Sequence, residues 1–119
     1  MILHITVRAQ WNAAREAGAY RGDTLATEGF IHCSEPAQVL GVSNAIFRGR
    51  QDLVLLCIDP GRIIVEIRYE AAPGTAERFP HIYGPLNLDA VTRVLPFSPQ
   101  PDGSFHLPGE IHGNAATGN

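Results

Sequence analysis

A stretch of seven residues, 28–34, carries the densest set of reactive side chains in this 119-residue chain. Its sequence EGFIHCS begins with a carboxylate and ends with an imidazole, a thiol and a hydroxyl. The apolar middle predicts a strand, and Ser34 is a good N-cap for a helix starting at Glu35. Alternation along a strand places Phe30, His32 and Ser34 on one face. Polar groups between a strand end and a helix are typical of binding sites, so we predict that His32 and Ser34 contact a ligand; the alternative for His32 is a buried ring bonded to a carbonyl.

Two other places combine a histidine with a predicted strand. His4 lies in the apolar run 2–6, where it shares a face with the side chains two residues to either side. Later in the chain, His81 and Tyr83 share one face of the run 79–85. Two polar aromatic groups at this spacing can form one wall of a ligand site; the alternative is a turn in which they bond stray carbonyls.

A carboxylate candidate comes from an alternating run at residues 63–70. Its apolar side chains fall on one face, and Glu66, Arg68 and Glu70 fall on the other. Such a polar face is commonly solvated, and the alternative is a carboxylate that points into a cleft. Glu70 at the end of the run is therefore a candidate catalytic residue.

The composition excludes several classes of function. All nine positive residues are arginine and none is lysine, so Schiff-base chemistry, attachment of pyridoxal phosphate and a lysine-containing phosphate loop are excluded. A formal net charge of −3 gives no basic surface for a long nucleic acid. We therefore expect a small molecule or a nucleotide as the partner.

The cysteines and the apolar segments bear on the location of the protein. Cys33 and Cys57 lie in apolar runs, and two cysteines do not make a disulfide framework, which favours a reducing compartment. No charged N-terminal region leads into an apolar one, and no apolar run approaches the roughly 18 residues of a membrane span. We expect a cytoplasmic protein that does not contact a membrane.

The remaining patterns predict an α+β domain. Alanine-rich residues 9–17 and an apolar stripe in residues 35–47 indicate two helices. Leu53–Ile58 is continuously apolar, as in a central strand, and further strand patterns follow it. Strands that follow strands favour α+β over α/β, so we predict two helices on a mixed or antiparallel sheet of about six strands. Residues 19–27 have no sustained period, which predicts a loop.

The C-terminal part is predicted to end the domain with a hairpin. A turn signal at residues 102–103 and the apolar Phe105 and Leu107 predict an edge strand. Beyond it the composition offers little to bury. We predict a single globular domain over residues 1–108 and a disordered tail over residues 109–119.

Three motifs together resemble one known family. They are HIT at residues 4–6, EGFIHCS at residues 28–34 and FPHIYGPL at residues 79–86. On these motifs the chain resembles, over residues 2–108, an uncharacterised bacterial family called domain of unknown function 952 (DUF952). That family is grouped by distant similarity with the ADP-ribosyltransferase-like fold, in which a split, mainly antiparallel sheet binds NAD in a cleft. The resemblance implies this fold and NAD as a candidate cofactor.

The resemblance also implies roles for single residues. In the ADP-ribosyltransferase-like fold a first-strand histidine holds a ribose hydroxyl, which fits His4, and a ring on the next strand supports the nicotinamide, which fits His32. A late carboxylate or polar group completes the site, and Glu70 and His81 compete for this role. The implied function is an NAD- or ADP-ribose-utilising transferase. The predicted catalytic residues are His32, Glu70 and His81, and the predicted cofactor-binding residues are His4, Ser34 and Tyr83.

Two other functions use the same residues. The first is a noncatalytic module that binds a nucleotide or a small metabolite. The second is a zinc-dependent hydrolase with ligands from His4, His32, Cys33 and His81. Because neighbours on a strand point to opposite faces, His32 and Cys33 cannot easily bind one ion, and we predict no metal site.

Overall fold

The computed structural model describes residues 1–111, which form eight β-strands and three α-helices. Every strand pairing in this part of the chain is antiparallel, which confirms the predicted α+β class with a mainly antiparallel sheet. The strands are β1 (Ile2–Val7), β2 (Ala19–Tyr20), β3 (Ile31–His32), β4 (Leu53–Ile58), β5 (Glu66–Ala71), β6 (Arg78–Tyr83), β7 (Leu86–Asn87) and β8 (Val91–Pro96). The helices are α1 (Arg8–Ala17), α2 (Thr24–Glu28) and α3 (Val39–Ile46).

Two three-stranded sheets and one two-stranded ribbon carry the fold. Their strand orders are β1-β4-β8, β3-β6-β5 and β2-β7. Leu3 in β1 and Ser34 just after β3 exchange two backbone hydrogen bonds of 2.7 and 2.8 Å, which connect the two larger sheets. One isolated bridge thus links the two larger sheets.

β4 is the central strand of its sheet and is buried on both faces. Its side chains alternate between two apolar clusters, because successive side chains on a strand point to opposite faces. The first core cluster includes Val54, Leu56 and Ile58 with Trp11 and Ile82. The second core cluster includes Leu53, Leu55 and Cys57 with Leu3, Phe97 and Phe105.

The start of α3 differs from the prediction. This helix begins at Val39 rather than Glu35, and no side chain caps it. Ser34 is held in the backbone bridge to Leu3, so it cannot cap a helix that starts at Val39. The predicted N-cap role of Ser34 was wrong.

The predicted loop at residues 19–27 is more regular than expected. It contains β2 and most of α2, and α2 ends at Gly29 in a left-handed conformation with φ of 90°. A two-residue strand and a five-residue helix are too short to show a hydrophobic period, so the sequence pattern could not separate them from a loop.

The predicted edge strand at Phe105 was wrong, because residues 97–111 contain no strand. The turn before it does form, closed by a 2.8 Å backbone hydrogen bond at Gly103. The Phe105 ring stacks on Phe97 with ring centres 4.7 Å apart, and the Phe105 N–H donates to the side chain of Asn44 at 2.8 Å. A side chain from α3 thus takes the place of strand pairing.

The packed part of the chain extends beyond the predicted domain end at residue 108. Ile111 is only 5% exposed and belongs to the second core cluster, although it falls inside the predicted tail of residues 109–119. Residues 109 and 110 of that tail are exposed, and residues 112–119 lie outside the described part. The C-terminal boundary of the domain therefore includes Ile111.

We expect Ile111→Ala to lower the free energy of unfolding by about 2 kcal/mol, because it removes buried methyl groups and leaves a void in the second core cluster. The matched control is Ile64→Ala, since Ile64 is 79% exposed and should change stability by less than about 0.5 kcal/mol. Urea unfolding of both variants measures the difference. Equal stability of the two would mean that Ile111 does not pack in solution.

Candidate functional site

One face of the β3-β6-β5 sheet carries most of the polar side chains that the sequence singled out. His32 and His81 are direct partners across β3 and β6, and Arg68 is the partner of His81 across β5 and β6. Partners share a face of a sheet, and so do residues two apart on a strand. Glu70 and Tyr83 therefore lie on the same face as the two histidines. The prediction that alternate residues of each strand share a face is confirmed. The register between the strands then brings these polar side chains onto one face of the sheet.

This face borders a cavity of about 1010 Å³ that also meets β1, α2 and α3. All six predicted site residues line it, namely His4, His32, Ser34, Glu70, His81 and Tyr83. The polar end of the cavity lies against the sheet, and α3 contributes an apolar wall that includes Val42, Ile46 and Phe47. The roles assigned to the six residues stay predictions, but the structure brings all of them to one place.

Glu70 is the best-connected carboxylate in the cavity. Tyr83 donates its hydroxyl hydrogen to Glu70 Oε1 at 2.5 Å, and His81 donates from Nδ1 to the same oxygen at 2.7 Å. Both hydrogen bonds lower the pKa of Glu70, and the bond from Tyr83 has the larger effect. The Glu70 carboxylate in turn raises the pKa of Tyr83. Glu70 is thus held in its ionised form. Its other oxygen, Oε2, makes no hydrogen bond within residues 1–111.

His81 is held so that one ring nitrogen stays available. Its Nδ1 faces Glu70, and its ring stacks on Phe30 with centres 4.1 Å apart. Nε2 has no protein partner in the part of the chain that the structure describes, and no side-chain nitrogen there is both fully buried and unbonded. With Nδ1 carrying the proton, Nε2 of the neutral ring presents a lone pair. The Glu70–His81 pair therefore has the arrangement of an oriented general base.

His32 is not the buried structural histidine that was the alternative interpretation. Its side chain is 51% exposed, and Nε2 lies 3.0 Å from Glu28 Oε1. The ring meets the His81 ring edge to face, with centres 5.2 Å apart. Two imidazoles, each beside a carboxylate, thus lie next to each other at the polar end of the cavity.

His4 fits that alternative interpretation instead. Its Nδ1 donates to the backbone oxygen of His32 at 2.5 Å, and its Nε2 lies 2.7 Å from the Tyr20 hydroxyl. Burial lowers the pKa of His4 to about 4 and raises the pKa of Tyr20 to about 12. Nε2 of the neutral His4 lies against the Tyr20 hydroxyl, so both ring nitrogens are occupied by contacts within the protein. The ring positions the His32 backbone, and no ring nitrogen is left for the predicted bond to a ribose hydroxyl.

A chain of polar groups continues from Tyr20 to the rim of the cavity. Thr6 Oγ1 lies 2.9 Å from the Tyr20 hydroxyl and 3.0 Å from Gln10 Oε1. Gln10 Nε2 then donates to Asp23 at 2.5 Å. Asp23 lines the cavity, so a third carboxylate, after Glu70 and Glu28, is fixed there by groups on β1 and α1.

The lining residues that the predicted site left out include Tyr20, Asp23, Glu28 and Phe30. Glu28 is the first residue of the EGFIHCS stretch at residues 28–34. Its spacing of four residues from His32 indicates a contact only if a helical turn is expected there. Tyr20 and Asp23 lie in the segment that was predicted as a loop. Phe30 was placed on the correct face but given no role.

The zinc interpretation is not supported by the donors. Cys33 belongs to the first core cluster, and burial raises the pKa of its thiol, which disfavours the thiolate that binds metal. No group of three or more histidine, cysteine, aspartate and glutamate side chains among residues 1–111 could hold a metal ion.

The helices of this described part are too short or too polar to cross a lipid bilayer.

Comparisons with known proteins agree with the resemblance to the DUF952 family, and they do not support the likeness to the ADP-ribosyltransferase-like fold. A family model described as "Protein of unknown function (DUF952)" matches residues 5–94. Two crystal structures of protein CC0527 from Caulobacter crescentus, one of them a double mutant, match with a TM-score of 0.81 at 36% identity, covering 89% of this chain and 93% of that one. The solution NMR structure of CC0527 matches with a TM-score of 0.78 at 35% identity, covering 92% and 95%. No curated protein matches the sequence.

Proposed function

This chain belongs to the DUF952 family, and from that premise we propose that it is an ADP-ribosyltransferase-like enzyme that takes NAD or an ADP-ribosylated molecule into the cavity as its substrate. The observation that carries the proposal is the convergence of Glu70, His81, His32 and Tyr83 on one cavity of about 1010 Å³. A volume of this order suits a nucleotide-sized ligand. The likeness to the ADP-ribosyltransferase-like fold is part of the proposal.

The cavity chemistry suits transfer of a ribosyl group. When the bond between ribose and its base breaks, positive charge develops on the sugar, and a nearby carboxylate stabilises that charge. Glu70 is kept ionised by Tyr83 and His81, and its Oε2 is free of protein partners within residues 1–111. We assign Glu70 the role of stabilising the sugar cation.

His81 supplies the proton acceptor in this scheme. Nε2 takes the proton from an acceptor hydroxyl or a water while the acceptor oxygen forms a bond to the anomeric carbon of the ribose. The bond from that carbon to the nicotinamide nitrogen breaks, and its electron pair stays on the departing base. Glu70 stabilises the protonated His81 through Nδ1, since the two groups are 2.7 Å apart.

The remaining predicted residues bind and position the ligand. Phe30 and His32, with ring centres 4.8 Å apart, form an aromatic wall for a planar base. His4 fixes the His32 backbone, and Ser34 lines the cavity beside it. The fit is weakest for a pyrophosphate, because Arg50 is the one arginine among the described lining residues and already pairs with Asp52 at 3.1 Å.

A second candidate function is a binding module without turnover. The observation in its favour is that Glu70 Oε1 already accepts hydrogen bonds from both Tyr83 and His81. A carboxylate fixed in this way can also hold the hydroxyls of a ribose without reacting. Release of nicotinamide from NAD separates the two candidates, since only the enzyme produces it.

Calorimetric titration with NAD and ADP-ribose tests the proposed ligand class. Wild type is expected to bind at least one of them, and His32→Ala is expected to bind it about tenfold more weakly, which corresponds to about 1.4 kcal/mol. His106→Ala is the matched control, because His106 is exposed and does not line the cavity. Absence of heat with wild type for both ligands, or equal weakening by both substitutions, would contradict the proposal.

A further inference from the structure

We infer that the cavity recognises its ligand through a positively charged base attached to ribose, and that the negative phosphates of the ligand oppose binding. This inference rests on the proposed function and names the part of the substrate that the site selects. The nicotinamide ring of NAD carries a positive charge, and its two phosphates carry negative ones. The two parts of that molecule are therefore separable by charge.

Three carboxylates define the charge of the cavity. Asp23, Glu28 and Glu70 all line it, and each accepts a hydrogen bond from a side chain of the protein. Above about pH 8 a histidine is ordinarily neutral, so imidazole donors do not cancel these charges. The polar end of the cavity then has a strongly negative potential.

The cations near the cavity are already paired. Arg50 lines it but makes a two-pronged pair with Asp52, with both nitrogen–oxygen distances at 3.1 Å. Arg68 makes a similar pair with Glu66 at 2.9 and 3.0 Å, and its guanidinium lies 4.4 Å above the ring of Tyr83. Either arginine would have to break its ion pair with a carboxylate before it could bind a phosphate.

The aromatic groups supply an independent reason to expect a cation. The Phe30 ring centre lies 4.1 Å from that of His81, 4.8 Å from that of His32 and 5.2 Å from that of Tyr83. Ring faces carry negative charge density and attract organic cations. The His81 residue is 8% exposed and lines the cavity, and its Nε2 has no partner within the described residues, so this ring nitrogen is available to a ligand.

The test compares ligands that differ in charge. At about pH 8 and low ionic strength, nicotinamide riboside is expected to bind at least tenfold more tightly than NAD, because it keeps the cationic base and ribose and lacks phosphates. 1-Methylnicotinamide is expected to bind more tightly than neutral nicotinamide, which has nearly the same shape. Raising the salt concentration should weaken binding of the riboside, because salt screens the attraction.

A variant locates the effect in the cavity. Glu28→Gln should weaken riboside binding about fivefold, whereas Glu77→Gln should not, because Glu77 is exposed and outside the cavity. If NAD binds as tightly as the riboside or more tightly, phosphate recognition is established and the inference falls, while the proposed function stands. If wild type binds neither NAD, ADP-ribose nor the riboside, the inference and the proposed function both fall.

Discussion

Glu70→Gln is expected to slow release of nicotinamide from NAD by a factor of about 10² to 10³, while the affinity for NAD falls by a much smaller factor. Glutamine matches glutamate in size but carries no negative charge, so it cannot stabilise the positive charge that develops on ribose. Loss of one preorganised electrostatic group at a reacting centre has effects of about this size. The measurement is the rate of nicotinamide release together with calorimetric NAD affinity.

Titration of Tyr83 provides a readout of the same substitution that does not depend on turnover. The hydrogen bond to Glu70 is the main reason that the pKa of Tyr83 is raised, so this pKa should fall in Glu70→Gln. Ultraviolet titration of the tyrosines follows it, with Glu77→Gln as the matched control. A lowered Tyr83 pKa with an unchanged rate would show that Glu70 is bound as described but takes no part in transfer.

Wild type should lose about 3 kcal/mol of its free energy of unfolding as the pH falls from 6.5 to 4, through His4 alone. Burial lowers the pKa of His4 from 6.5 to about 4 in the folded protein. Between these values the unfolded chain binds a proton at His4 and the folded protein does not, so acid favours unfolding. The groups that face His4 are Tyr20, Asp23 and His32, and burial outweighs the attraction of Asp23.

His4→Gln is the control for this pH dependence, because glutamine can still hydrogen-bond but does not titrate. Its stability should change by less than about 1 kcal/mol over the same range. Carboxylates with a lowered pKa, such as Glu70 and Asp52, also stabilise the folded protein. This stabilisation is lost only at lower pH, below the ordinary carboxylate pKa near 4. Urea unfolding at several pH values gives both curves. Parallel curves for the two proteins would mean that His4 has the same pKa in the folded protein as in the unfolded chain.

The faces of the strands could be predicted from the sequence, because the side-chain period of a strand is two. His81 and Tyr83 share a face, as predicted, and so do Glu66 and Glu70. Their meeting with His32 could not be derived in this way. It depends on the pairing of β3 with β6, which brings together residues far apart in the chain, and local patterns carry no information about such a register.

The polar contacts of the site were harder to predict than its location. His4 was expected to hold a ligand, but its ring nitrogens bond Tyr20 and the backbone of His32. These bonds require β2 and β3 to lie against β1. β2 has only two residues, so its sequence shows no strand pattern that could predict it. Ile111 was missed for a related reason, since one apolar residue among polar ones gives no periodic signal.

The two-sided burial of β4 bears on how the protein unfolds. Leu55 and Leu56 are adjacent on one strand, yet they belong to different core clusters. Separating β4 from either neighbour exposes both clusters to water, so the two core clusters lose their packing together. We therefore expect the two faces of β4 to unfold in one cooperative step, and the cavity, whose lining includes residues of β1, persists only as long as β1 stays paired with β4.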